Sequence, residues 1–162
     1  MPSAQRRPYI DWHSPDASCK TNLCMITVSG GGFDSCCDAE HPNPIIDRFV
    51  KAGFTVADLT CRQLAWEDVQ RAVRVVRSQA AKRGFDPNKI GAIGMSAGAK
   101  SVLLVATSSI TPAYQPVDKI DALPCRLQFA ILRSPAYVLT DGEETPNARE
   151  GDAPDVTLVP EL

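Results

Sequence analysis

The sequence predicts an α/β domain, a mostly parallel sheet with helices on both faces. Three observations carry that reading. Apolar, strand-like runs alternate with segments of helical periodicity along most of the chain. Aliphatic residues are plentiful while aromatics make up only 6%, which suits a sheet flanked by helices. At 162 residues the chain has room for one domain with a real core and not for two.

The elements follow in order. Residues 9–12 read as a short outer strand, and residues 22–29 as a stronger one that ends in the run Gly30-Gly31-Gly32. Residues 44–52 read as a helix with Ile45, Ile46 and Phe49 on one side and Gly53 closing it. Residues 54–59 form the next strand. Residues 66–83 are the clearest helix, with Val69, Ala72, Val73, Val76 and Ala80 in one apolar stripe and Arg71, Arg74, Ser78 and Lys82 opposite. Glu67 and Asp68 in its first turn and Lys82 and Arg83 in its last suit the helix dipole, and Gly84 ends it. A turn at Asp86-Pro87-Asn88 delivers a strand at 89–95, and an apolar run at helical spacing follows Ser96. Residues 111–124 are loop-like, and 127–132 read as one more strand. From Ser134 onward the chain is rich in Pro, Gly, Asp and Thr, as in an excursion over the carboxyl edge of the sheet.

Composition excludes several function classes. Seventeen basic residues balance nineteen acidic ones, and no basic stripe stands out, which argues against nucleic acid and anionic membrane as partners. No apolar segment approaches a membrane span, and the polar residues 1–7 lack the apolar core of a signal peptide, so the expected location is cytoplasmic. Six cysteines invite a metal or disulfide reading. No C-x-x-C or Cys/His pair offers zinc spacing, so no metal and no cofactor are expected. Cys24 and Cys61 fall in strands as small hydrophobes, Cys36 and Cys37 are adjacent in a loop, and Cys19 and Cys125 stand alone.

The chemistry concentrates at residues 94–98, Gly-Met-Ser-Ala-Gly. Between a strand and a helix this spacing makes a nucleophile elbow, a reversal so sharp that the serine takes strained backbone angles and projects its hydroxyl. Side chains at Gly94 and Gly98 would collide with the neighbouring strand and helix. Ser96 is the candidate nucleophile. Its oxyanion donors would be the N–H of Ala97 and those of a glycine-rich loop after an earlier strand, where Gly31 and Gly32 stand. A serine also needs a base and a group to orient it. Both histidines, His13 and His41, precede Ser96, the reverse of the usual order, and Asp141, Asp152 and Asp155 are the available acids. A rival reading overlaps the elbow, since residues 94–101 differ from a phosphate loop by one residue, Ala99. That loop needs a glycine there and a downstream strand ending in aspartate, whereas the strand here ends in Arg133 and Ser134.

Taken together, the chain resembles the amino-terminal two-thirds of an α/β-hydrolase-fold serine esterase of the bacterial acetylxylan-esterase-like group. The resemblance rests on Ser-Gly-Gly-Gly-Phe at 29–33, Ala-Trp-Glu-Asp-Val-Gln-Arg-Ala at 65–72 and Arg-Gly-Phe-Asp-Pro-Asn-Lys-Ile at 83–90. Gly-Met-Ser-Ala-Gly at 94–98, Pro-Ala-Tyr-Val-Leu-Thr-Asp-Gly at 135–142 and Leu-Val-Pro-Glu-Leu at 158–162 complete it. It implies hydrolysis of acyl esters, acetyl esters of carbohydrates among them, with a small-molecule or carbohydrate ester as substrate. The departures are Ala99-Lys100 where the family has Gly-His, and a shorter stretch at 62–66. The resemblance also implies two further strands, with the acid and the histidine, beyond Leu162. On that measure residues 1–162 are a single, truncated α/β-hydrolase domain, inactive alone. The alternatives are a non-catalytic remnant or binding module and, behind it, the phosphate-loop protein. Oligomeric state is left open.

Overall fold

The computed structural model describes residues 8–30, 43–61 and 66–135. Five strands form one sheet: β1 (Tyr9–His13), β2 (Cys24–Val28), β3 (Thr55–Thr60), β4 (Ile90–Met95) and β5 (Phe129–Arg133). Their spatial order is β1-β3-β2-β4-β5, with β1 antiparallel to β3 and every other pairing parallel. The helices are α1 (Pro44–Lys51), α2 (Trp66–Ser78), α3 (Ala80–Arg83) and α4 (Ala97–Thr107). Among the described residues no helix is long and apolar enough to cross a membrane.

Strand alternation sorts the core into two layers. Cys24, Ile26 and Val28 of β2 join Ala57 and Leu59 of β3 and Ile90 and Ala92 of β4 on one face. That face packs on Val69, Val73 and Val76 of α2 and Val102 and Val105 of α4. Met25, Val56 and Ile93 point to the opposite face, beneath Ile46 and Phe49 of α1. Helices therefore lie on both faces, as the alternating pattern requires. Burial pushes the Cys24 thiol up to about 12, so it behaves as a small hydrophobe. Cys61 and Cys125 are also buried, whereas Cys19 is exposed; Cys36 and Cys37 lie outside the described residues.

The chain corrects the single helix expected over 66–83. The Ser78 hydroxyl donates to the carbonyl of Val75 at 2.7 Å, and the Gln79 N–H is shared between Val75 (3.2 Å) and Val76 (3.0 Å). This local competition tightens one turn and divides the segment into α2 and α3. The apolar stripe survives the break, for Ala80 is 2% exposed. Gly84 then ends α3 at φ 72°.

The polar side of α2 is not a solvated face. It holds the connection between α4 and β5, which contains a 3₁₀ turn at Lys119–Ala122. Gln70, fully buried, donates to the carbonyl of Thr111 at 2.8 Å and accepts the Ala113 N–H at 3.0 Å. Arg71 reaches Asp118 at 2.7 Å and Asp121 at 2.6 Å. The Asp121 side chain is 2% exposed and also accepts from the Tyr114 hydroxyl and the Val117 N–H. Further along α2, Arg77 donates to the carbonyls of Pro87, Pro124 and Arg126 and so anchors the entry to β5.

Burial opposes the charge on Asp121, but its donors, Tyr114 first, outweigh it and hold the carboxyl well below the usual carboxylate range. A group with a depressed folded pKa contributes stability that is complete above its unfolded value, about 3.9, and is lost as pH falls below it. We therefore expect D121N to lower unfolding free energy by about 1–3 kcal/mol at neutral pH, the cost of leaving buried donors poorly matched. Urea denaturation between pH 2 and 7 should also show a flatter acid limb in D121N than in the parent chain. Parallel acid limbs would remove Asp121 from the clasp.

Candidate active site

Sheet order places the site. After β2 the chain crosses by α1 to β3 on one side, and after β3 it returns by α2 to β4 on the other. The carboxyl ends of β2 and β4 therefore flank a topological switch point, where an open α/β sheet leaves a crevice. Gly30 and Ser96 stand at those two ends.

Ser96 joins β4 directly to α4. Its φ is 50° and its ψ −120°, a conformation costly for any residue with a Cβ. Two backbone bonds hold it there. Its N–H donates to the carbonyl of Arg133 at 3.0 Å, and its carbonyl accepts the Ala99 N–H at 3.1 Å. Its side chain is exposed and does not cap its own helix. Ala97 is the first residue of α4, so its N–H is one of the donors that a helix start leaves without an intrahelical partner. An exposed hydroxyl thus sits beside an N–H that carries the positive end of the helix dipole.

The glycines have steric reasons. A Cβ on Gly98 would stand 2.6 Å from the carbonyl oxygens of both Val28 and Ser29, so α4 begins pressed against the end of β2. A Cβ on Gly94 would stand 2.5 Å from the carbonyl oxygen of Gly98 and 2.6 Å from the Cα of Ala99. A Cβ on Gly30 would be 2.8 Å from the carbonyl oxygen of Met95 and 2.8 Å from the Cβ of Ser96. The first residue of the glycine run lies directly against the elbow. Gly31 and Gly32, the expected oxyanion donors, lie outside the described residues, as do His41, Asp141, Asp152 and Asp155.

His13 is not brought to the site. It pairs with Val56 on the far side of the sheet, at the level of Met25 and Gly91. That puts it three strands and five residues from Ser96, about 14 Å across and about 16 Å along the strands. The phosphate-loop reading fails here as well. Helix α4 starts at Ala97, so Ala99 and Ser101 already lie inside it, both buried, and no open loop of N–H groups remains for a phosphate. The sequence reading missed the neighbours supplied by β5. Arg133 is in register with Met95, and Ser134 follows at φ 45° beside the elbow. The Arg-Ser-Pro triplet was the available signal, since a strand ending next to Ser96 must place its last residues at the same edge.

A mostly parallel sheet with a strained serine between a central strand and a helix defines the α/β-hydrolase fold. The chain belongs to the BD-FAE family, whose model matches residues 10–121. It is 30% identical over 140 residues to esterase LipQ of Mycobacterium tuberculosis, a match covering 82% of this chain and 33% of that protein. It resembles the acetyl ester-xyloside bifunctional hydrolase of Caldicellulosiruptor lactoaceticus with a TM-score of 0.68 and 28% identity, over 83% of this chain and 51% of that one. Esterase 2 of Thermogutta terrifontis, in its apo form, shares the fold at a TM-score of 0.70 and 23% identity, over 85% of this chain and 54% of that one. The chain thus spans a third to about half of the length of these relatives.

Strain at the elbow is measurable. Ser96→Gly relieves the positive φ and Ser96→Ala does not, so the glycine variant should be the more stable of the two by about 1 kcal/mol. Gly98→Ala should cost about 1–3 kcal/mol, because its methyl group meets backbone on β2. Thermal denaturation of the three variants reads both effects, and the opposite order of the two Ser96 variants would refute the strain.

Proposed function

We propose that this chain supplies the nucleophile and the oxyanion donors of a serine esterase acting on acyl esters of carbohydrates. The observation that carries the proposal is Ser96 itself, exposed and strained at the switch point with the backbone of Gly30 against it. In the reaction the Ser96 Oγ attacks the ester carbonyl and its proton passes to a base. The oxygen that gains charge accepts N–H bonds from Ala97 and from Gly31 or Gly32. The alcohol then leaves, and water cleaves the acyl-serine.

Carbohydrate as the alcohol is supported by two relatives. One is named for an acetyl ester-xyloside bifunctional activity. Another is the endo-1,4-beta-xylanase B of Butyrivibrio fibrisolvens, 32% identical over 84 residues, which cover 46% of this chain and 13% of that protein. The base is the open role, since His13 stands remote from Ser96 and His41 follows the glycine run in sequence. Without a base a serine stays protonated at neutral pH, and oxyanion donors and binding alone give roughly 10³–10⁴-fold over water.

Paraoxon offers a direct test, because esterase 2 of T. terrifontis is known as its phosphorylated form. We expect slow, stoichiometric modification of Ser96, located by peptide mass spectrometry and absent in Ser96→Ala. Turnover of p-nitrophenyl acetate by the 162-residue chain should be little above that of Ser96→Ala. Ser96-dependent turnover that disappears in His41→Ala would make His41 the base. A folded chain that is never labelled at Ser96 would favour a non-catalytic carbohydrate-binding role for the same cleft.

A further inference from the structure

Four arginines of the described residues are committed to holding the fold. Arg71 pairs with Asp118 and Asp121. Arg74 binds the Leu123 carbonyl, Gln70 and the Tyr114 hydroxyl. Arg77 binds three carbonyls, and Arg83 lies 3.6 Å over the Trp12 ring. Arg133 differs. Its hydrogen-bond contact among the described residues is the Met95 Sδ, 3.6 Å from Nη1. A thioether is a weak acceptor and a guanidinium has five donors, so this contact orients the group, and among the described residues no carboxylate pairs with it.

Position gives that charge meaning. Arg133 is in register with Met95, the residue before Ser96, and its own carbonyl holds the Ser96 N–H. Its side chain is therefore on the α1 face of the sheet, exposed, at the carboxyl edge where the nucleophile stands. Backbone strain marks the same place. Ser134 holds φ at 45° although a residue before proline is driven toward extended conformations, and it follows the residue whose carbonyl binds the strained Ser96. Arg126 precedes β5, at the end of that strand away from Ser96.

We infer that Arg133 forms an anion-accepting subsite beside Ser96, which selects esters carrying a carboxylate within a few bonds of the scissile carbonyl. The inference rests on the esterase reading of this cleft. A planar guanidinium receives a carboxylate through two parallel N–H···O bonds, which fixes direction as well as charge and so orients the ester toward the serine. A half-ester of a dicarboxylic acid and an ester of an acidic sugar both present that chemistry.

The test uses binding, so that it does not depend on turnover. The 15N-labelled chain is titrated with monomethyl succinate and with its neutral amide, methyl succinamate, while the Arg133 side-chain N–H and the Ser96 amide are followed by NMR. Saturable shifts at both groups are expected for the half-ester, in the parent chain and in Ser96→Ala. The affinity should fall at least fivefold for the neutral amide and at least fivefold in Arg133→Gln. Arg133→Lys, which keeps the charge but loses the fork, should lie between and covers the case in which Arg133→Gln does not fold. Equal affinity for half-ester and amide, equal affinity in the parent and Arg133 variants, or no saturable shift in the folded chain would overturn the subsite. Paraoxon labelling separates the two ideas: a labelled Ser96 without charge discrimination defeats the subsite alone, and discrimination without labelling defeats the esterase reading alone.

Discussion

The close approach of α4 to the end of β2 is the constraint on which the rest of the molecule depends. Where Gly98 meets the carbonyls of Val28 and Ser29, no atom larger than hydrogen fits. That contact forces the chain to reverse within one residue after β4, and the reversal forces Ser96 into its strained φ. Gly94 is required on the inner side of the same bend, and Gly30 where β2 ends against it. Three glycines are thus consequences of one packing decision. The exposed hydroxyl and the helix-start N–H of Ala97 come with it.

A strained turn persists only where its surroundings over-determine it. Here the surroundings are β5, whose last carbonyl binds the Ser96 N–H, and the clasp that holds β5 in place. Arg77 fixes the segment entering β5, while Arg71, Gln70 and Arg74 fix the connection before it. The polar face of α2 is therefore linked to the elbow through a chain of backbone and side-chain bonds. Its worth lies less in net stability, since a buried carboxylate pays a desolvation penalty, than in directing a long connection to one position.

How much of this could be read beforehand follows from the range of each interaction. The elbow depends on residues two apart in sequence, and its apolar flanks identify the strand and helix, so Ser96 was legible from 94–98 alone. The alternation of strands and helices followed the same logic, because strand and helix periods differ, whereas the order of the strands in the sheet did not. Gln70 and Asp121 were not legible. Gln70 is polar on a helix and Asp121 lies in a stretch that reads as loop, and the burial of each is created by partners roughly 40 residues away for Gln70 and 50 for Asp121. The break at Gln79 escaped for a subtler reason. Ser78 is an ordinary helix-surface residue until its hydroxyl turns back to Val75, and no periodicity records that choice. Arg133 is not legible as a neighbour of Ser96, since the two are 37 positions apart and only the β4–β5 pairing joins them.

Arg133 also shows how backbone and side chain divide labour at the carboxyl edge of the sheet. Its carbonyl is structural, holding the Ser96 N–H, and this role any residue could fill. Its guanidinium is not needed for that bond and rests on a thioether that gives little in return. Keeping a charge there makes physical sense when an anion visits the edge. The start of α4 already leaves the Ala97 N–H without an intrahelical partner at the same edge, so the guanidinium would extend one positive field along it.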